Sequence, residues 1–519
     1  VSLAKEALGG DGSAPPADEG GDATARLYRH LGYTGPLPPS STLEAPAPLP
    51  RGLVPRGGAV LPSEASAALT AETIAEAEAP PLDLTAVEVL KERLRAEPDA
   101  VLSRARALWD AEMSPEELEV AIEQASQLLS EPELGLRRIH TQEEFARATV
   151  KKLPPEFFQD WPYDPKIPID PSSTKFETKA DAVNWVLFSG PALIGSQFAK
   201  KAPFEWHHLY PSKFVYERSA PSPNAPISIG LAADFGTGLY HSRYIAKHLR
   251  ERGYPYVIHG GDVYYAGRDS EFQTNFKPQV EPLLAKAQVF TMNANHEMYS
   301  LGKPYFGYIK DRKKRNPSQL QEGSYFCLRF GKVLQVVGID TAYFRDGRFD
   351  ESSLLRWLRE VLQRGRELGM VNVLFSPNEP YSYGSKDLTD LLTKDLDEVV
   401  LDQKLVDLWF WGNTHYCALF DRTAGLPFVG SCIGHGGYPY GRMKAGSSSA
   451  APVRFLETGA RFPAWTEVRQ DRGNNGFCEL VVHHDKTVQL NYFDWMMRSR
   501  CSARLGFTNG VYGLTSVSA

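Results

Sequence analysis

The middle of the chain alternates short apolar runs with polar clusters. Ile227–Ala233, Tyr256–Ile258, Val289–Met292, Val371–Phe375 and Leu408–Trp411 are largely apolar, which is the pattern of strands buried on both faces of a parallel sheet. His241–Arg252, Glu271–Leu284 and Ser352–Leu368 fall between them and are read as helices. Gly476–His483 and Thr487–Phe493, separated by His484-Asp485-Lys486, are read as a closing pair of strands. This alternation predicts an α/β domain over residues 227–495, with residues 496–519 as a C-terminal tail.

The flanks follow other patterns. Residues 1–81 are rich in Ala, Pro and Gly and cannot bury enough apolar surface to offset the entropy of ordering, so a mostly disordered tract is expected. Residues 82–152 are read as a helical region. Ser114-Pro-Glu-Glu117 and Thr141-Gln-Glu-Glu144 have capping-box spacing, with Pro115 at a first helical position. Leu118, Ile122, Ala125 and Leu129 then share one apolar face, fit for packing or for a protein partner. A Pro- and aromatic-rich connector arm over 153–226 completes the division. Val183–Phe198 is the longest apolar stretch, but Asn184 and Ser189-Gly190-Pro191 interrupt it, so it reads as a packing segment and not a membrane span.

Composition narrows the class. The 519 residues are 42% hydrophobic and 23% charged, which is ordinary for a globular protein. A net charge of −6 gives no ground for a nucleic-acid partner. Five cysteines without CxxC spacing argue against a disulfide framework or a cysteine zinc site, and a reducing, cytoplasmic location is expected.

Chemistry enters at the strand ends, where open α/β sheets bind ligands. The runs are followed in order by Asp234-Phe-Gly236, Gly261-Asp262-Val-Tyr-Tyr265, Asn295-His296-Glu297, Asn378-Glu379-Pro380 and Gly412-Asn413-Thr414-His415. Asp, Asn, Tyr and His delivered together suggest a metal site. The series resembles the calcineurin-like metallophosphoesterase superfamily, in particular its purple-acid-phosphatase-like branch and that branch's bacterial members. Cys432-Ile-Gly-His-Gly-Gly437 adds to the likeness.

The resemblance implies a four-layer α/β/β/α sandwich with a two-metal site. At the first position it implies Asp234, bridging Asp262, Tyr265 and His415 as ligands, a set suited to iron because a trivalent cation holds a phenol deprotonated below its ordinary pKa near 10. At the second it implies Asp262, Asn295, Asn378 and Asn413. There Asn378 and Asn413 replace the family's histidines and Ala294 replaces a glycine, which favours manganese, magnesium or calcium, or an empty position. The implied substrate is a small phosphate ester, attacked by metal-bound hydroxide with His296 as general acid. His241 and His435 are candidates for facing the substrate. The paired asparagines also admit an alternative, a degenerate domain retained as a binding or scaffold protein.

Overall fold

Alternation along each strand decides the layering. Leu408 and Phe410 enter one core while Trp409 and Trp411 enter another, as the two-residue side-chain period of a strand requires. The computed structural model describes residues 84–109, 114–130, 152–159, 161, 163–177, 181–195, 200–207, 213–508 and 511–519. The tract 1–81 and the Thr141–Glu144 capping box lie outside the described residues, save that helix begins at Leu84.

One sheet has eight strands in the order β1 (Val215–Arg218), β5 (Phe326–Phe330), β6 (Leu334–Gly338), β7 (Val371–Ser376), β8 (Leu408–Trp411), β10 (Val429–Ile433), β9 (Cys417–Phe420) and β11 (Val453–Leu456). The other has seven: β15 (Val511–Ser518), β14 (Ser499–Thr508), β13 (Val488–Asp494), β12 (Gly476–Val482), β2 (Ile227–Ala232), β3 (Tyr256–His259) and β4 (Gln288–Thr291). The runs β2-β3-β4 and β6-β7-β8-β10 are parallel.

The sheets share a core to which Ile229, Leu231 and Ile258 contribute from one side and Val373, Phe375 and Phe410 from the other. Outside the eight-stranded sheet, Leu354, Trp357, Leu358, Val361 and Leu362 form the buried stripe of a helix, Ser352–Glu367. Outside the seven-stranded sheet lie the helices Tyr240–Arg252 and Lys303–Arg315, packing Tyr244, Leu249, Tyr305 and Ile309 against Val257 and Val289. Helix, sheet, sheet and helix follow in that order, the four-layer sandwich expected.

Three expectations change. The helix expected over Glu271–Leu284 is a succession of short turns from Asp269 to Leu283, because Pro278 and Pro282 each remove a backbone donor and crowd the preceding turn. The connector arm, for which an extended wrapping path is the expectation from its Pro-rich composition, contains the apolar helix Ala182–Gly195 and strand β1. The tail does not hang free, since β14 and β15 extend the seven-stranded sheet and send Cys501, Ala503, Leu505 and Tyr512 into the inter-sheet core.

The amino-terminal helices are labelled α1 (Leu84–Ala96), α2 (Pro98–Trp109) and α3 (Pro115–Ser130), and the connector helix Ala182–Gly195 is α4. The capping box at α3 forms: Glu117 N donates to Ser114 Oγ at 3.2 Å and Ser114 N donates to Glu117 Oε2 at 3.0 Å. Val87, Leu90, Val101, Leu118 and Ile122 from α1–α3 pack with Val183, Trp185 and Val186 of α4. Their apolar faces are therefore spent on α4.

Leu505 is fully buried, so Leu505→Ala is expected to lower unfolding free energy by about 2–5 kcal/mol in urea denaturation. A dispensable tail would show no change.

Candidate metal centre

Three of the candidate ligands sit on sharply turned residues just past their strands. Asp234, Asp262 and Asn413 have φ of 58°, 73° and 58°, a left-handed conformation that Asp and Asn tolerate better than most residues. The turns bring Asp234, after β2, and Asp262, after β3, to His415, after β8; their donor atoms all lie within 4.8 Å of one another. Both aspartates are about 1% exposed. Two glycines leave room beside the first: a Cβ on Gly412 would stand 2.8 Å from Asp234 Oδ2, and one on Gly434 3.0 Å.

A tyrosine hydroxyl joins these groups. Tyr264 Oη lies 3.1 Å from Asp234 Oδ1, 3.0 Å from Asp262 Oδ2 and 3.0 Å from His415 Nε2. His415 Nε2 is 3.6 Å from Asp234 Oδ1. Donors bound to one cation by bonds of about 2.1 Å stand roughly 3.0–3.4 Å apart in octahedral or tetrahedral arrangements. The four donors fit a shared cation, and two buried carboxylates this close repel unless positive charge lies between them.

The tyrosine in this position is Tyr264, not the expected Tyr265. Tyr264 N donates to Gly236 O at 3.0 Å, which fixes the register of the turn and directs the Tyr264 phenol inward. The Tyr265 ring instead packs against Phe176 (4.5 Å between centroids), Trp185 (4.8 Å) and Phe188 (5.2 Å), and its hydroxyl donates to buried Asp181. Glu271 pins the same turn by accepting from the backbone N–H groups of Tyr265, Ala266 and Arg268.

His296 is fully buried. Its Nδ1 is 2.6 Å from the Tyr265 carbonyl oxygen, an atom that can only accept, so Nδ1 carries a proton. Its ring lies 4.3 Å from that of Tyr264 and 6.1 Å from that of Trp185 on α4. Asn295 Nδ2 donates to Tyr299 Oη at 2.7 Å, and its Oδ1 is buried without a partner, as a carbonyl awaiting a cation would be. Ala294, in the place of the family's glycine, lies against Gly261: a Cβ there would meet the Ala294 methyl at 2.6 Å.

The remaining candidates are not brought into the cluster. Asn378 Oδ1 accepts from Thr341 Oγ1 at 2.6 Å, and its Nδ2 faces Asp346 Oδ1 at 3.4 Å. Asn413 contributes through its backbone, its N–H donating to Asp234 Oδ2 at 3.1 Å. His241 is buried with Nε2 2.6 Å from Gly437 O, so it does not face a substrate; burial and the Arg461 charge hold its pKa well below 6.5. His435 is also buried, its Nε2 against Gly476 of β12 and its pKa lowered to about 4 by burial.

Sequence reasoning missed several contributors. Tyr438 stacks on His415 at 3.9 Å and packs on Tyr264 at 4.8 Å; its place after the Cys432–Gly437 motif was the available signal. Glu297, inside a quoted motif but without a role, accepts from Asp262 N at 3.2 Å and Ala294 N at 3.0 Å. Burial raises its pKa to about 7. Asp181 and Trp185 had no local signal.

Residues 227–417 match the family model described as calcineurin-like phosphoesterase. The match includes every candidate metal ligand and stops before His435, and it leaves out α1–α4. No curated protein matches the sequence. Among solved structures, the chain is similar to a purple acid phosphatase from yellow lupin (Lupinus luteus) seeds, with 14% identity and a TM-score of 0.39. That similarity covers 55% of each chain, so this chain spans only about half of the lupin enzyme. It is also similar to GAP50 of Plasmodium, the anchor in the inner membrane complex, at 10% identity and a TM-score of 0.37, over 53% of this chain and 88% of that one.

Asp181 gives the contact between α4 and the Tyr265 turn a pH dependence. Burial raises its pKa from 3.8 to about 6, so the folded state favours the neutral acid. The contact should be most stable below about pH 4, weaken by roughly 3 kcal/mol between about pH 4 and 6, and stay level above. Hydrogen exchange over residues 182–195, corrected for intrinsic rates, should show that loss in wild type and not in Asp181→Asn.

Proposed function

We propose that the domain is a metal-dependent phosphoesterase acting on a small phosphomonoester or phosphodiester. The observation that carries this reading is the convergence of Asp234, Asp262, Tyr264 and His415 donors at spacings suited to one cation. The set suits iron at the first position, with Tyr264 as the phenolate donor. Asp262 and Asn295 remain as oxygen donors for a second, harder cation such as manganese, magnesium or calcium, or for a position left empty. Bound cations would polarise phosphoryl oxygens and acidify water. His296, whose Nδ1–H is held by the Tyr265 carbonyl, is our candidate general acid, and its burial means that the role requires the site to open toward the leaving oxygen. Access is from the side of Asn378, Asn413 and His415, which are half-buried, whereas Tyr264 and His296 are sealed.

A second reading, a non-catalytic binding or scaffold domain, draws on two observations. The Asn378 carbonyl is already engaged by Thr341, and His296 lies beneath Trp185.

Hydrolysis of an aryl phosphate by the metal-loaded full chain separates the readings. Asp262→Asn should lower kcat by more than about a hundredfold, since losing even an outer partner of a metal ligand costs 10–100-fold. Metal-loaded protein inert toward monoester and diester panels would refute the hydrolase. If Asn378→His with Asn413→His then created activity, the scaffold reading would gain.

Iron loading should also produce a visible phenolate-to-iron band that disappears in Tyr264→Phe and persists in Tyr265→Phe. The reverse pattern would return the ligand role to Tyr265.

A further inference from the structure

The loop between β11 and β12 carries Arg461, Arg469 and Arg472, and its backbone draws them together. Arg461 N donates to Arg472 O at 2.9 Å, and Ala460 bridges to Gly473. Arg469 and Arg472 share one buried carboxylate: Glu177 pairs with Arg469, and its Oε2 is 2.6 Å from Arg472 Nη2. Asp471, with 65% of its side chain exposed, meets Arg472 Nε at 3.4 Å from the solvent side.

Among the described residues Arg461 has no such partner. It is 3% exposed, and its Nε and Nη2 are buried without an acceptor. The Tyr240 hydroxyl lies against the Arg461 guanidinium, and His241 Nδ1 is buried without a hydrogen bond. Burial and the Arg461 charge together keep His241 neutral, so it adds no opposing positive charge. A guanidinium cannot shed its proton, and an uncompensated buried charge is costly. Burying this one calls for a mobile anion to complete it.

We propose that Arg461, Tyr240 and the inner edges of Arg469 and Arg472 form an oxyanion site that takes phosphate, free or as the terminal group of a small monoester. Arg472 lies within electrostatic reach of both Arg461 and Arg469, and several guanidinium forks together can serve the several oxygens of a phosphate. The site is separate from the cation centre. Gly437-Tyr438 stands between them, with Gly437 O accepting from His241 Nε2 at 2.6 Å and Tyr438 N donating to Asp234 O at 3.0 Å. Partial exposure of Arg469 and Arg472, at 11% and 28% of their side chains, gives an entrance.

Calorimetric titration of the full chain with inorganic phosphate, as purified and after EDTA treatment, tests the proposal apart from any hydrolysis. Saturable binding should survive EDTA and weaken at least tenfold in Arg461→Met, with Arg461→Lys in between. Phenyl phosphate should compete if esters are taken and fail to compete if only the free ion is; acetate should do nothing. Should Arg461→Met not fold, Tyr240→Phe and Arg472→Gln should each weaken binding. The proposal is overturned if phosphate does not bind, if binding vanishes with EDTA, or if these variants bind like wild type.

Discussion

Two buried carboxylates held face to face are the constraint to which the rest of the centre answers. Asp234 and Asp262 end adjacent parallel strands, and both sit in left-handed turns. Their mutual repulsion is tolerable only around a proton or a cation, and the Tyr264 hydroxyl lies within hydrogen-bonding reach of both. The surroundings serve that geometry. Glu297 holds the Asp262 backbone, the Asn413 N–H holds an Asp234 oxygen, and glycines at 412 and 434 keep side chains away from it. Removing any of these leaves the carboxylates present but free to turn apart, and a cation site depends on donor separations of a few tenths of an ångström.

The helical region outside the family match is tied into this centre through one turn. Asp181, Trp185 and Phe188 take up the hydroxyl and ring of Tyr265, and the carbonyl of the same residue fixes His296. Tyr265 therefore couples packing on α4 to the orientation of the His296 imidazole, and its hydroxyl is turned away from the carboxylate cluster. The α1–α3 bundle holds α4 from behind with Leu90, Leu118 and Ile122. The module thus supports the candidate metal centre, and its apolar stripes are explained by that contact.

The sandwich was legible where periodicity is strong. Alternation in β7 and β8 and the buried stripe of the helix Ser352–Glu367 are local properties, and the polar residues that end the strands mark Asp234, Asp262 and His415 without outside help. The choice between Tyr264 and Tyr265 is not local: it depends on Asp181 and on an aromatic cluster from a segment some eighty residues earlier. β14 carried only a faint signal, since two of its inward residues, Cys501 and Ala503, are small. His241 and His435 were plausible from their glycine-rich surroundings, but buried contacts with Gly437 and Gly476 turned them away.

The asparagines show how the second position differs from a merely weakened histidine pair. Asn378 uses both ends of its amide, accepting from Thr341 and facing Asp346, and so ties the loop 340–348 to the end of β7. An imidazole could accept from Thr341 only through one nitrogen and would present the other in a different direction. At 413 the backbone is left-handed, which asparagine accommodates more readily than histidine, and its N–H is the group that holds Asp234. Each amide thus has a structural reason that does not involve a second cation. Were a second cation to bind, Asp262 and the buried Asn295 oxygen would be the protein donors left for it, and a substrate or solvent oxygen would have to complete them.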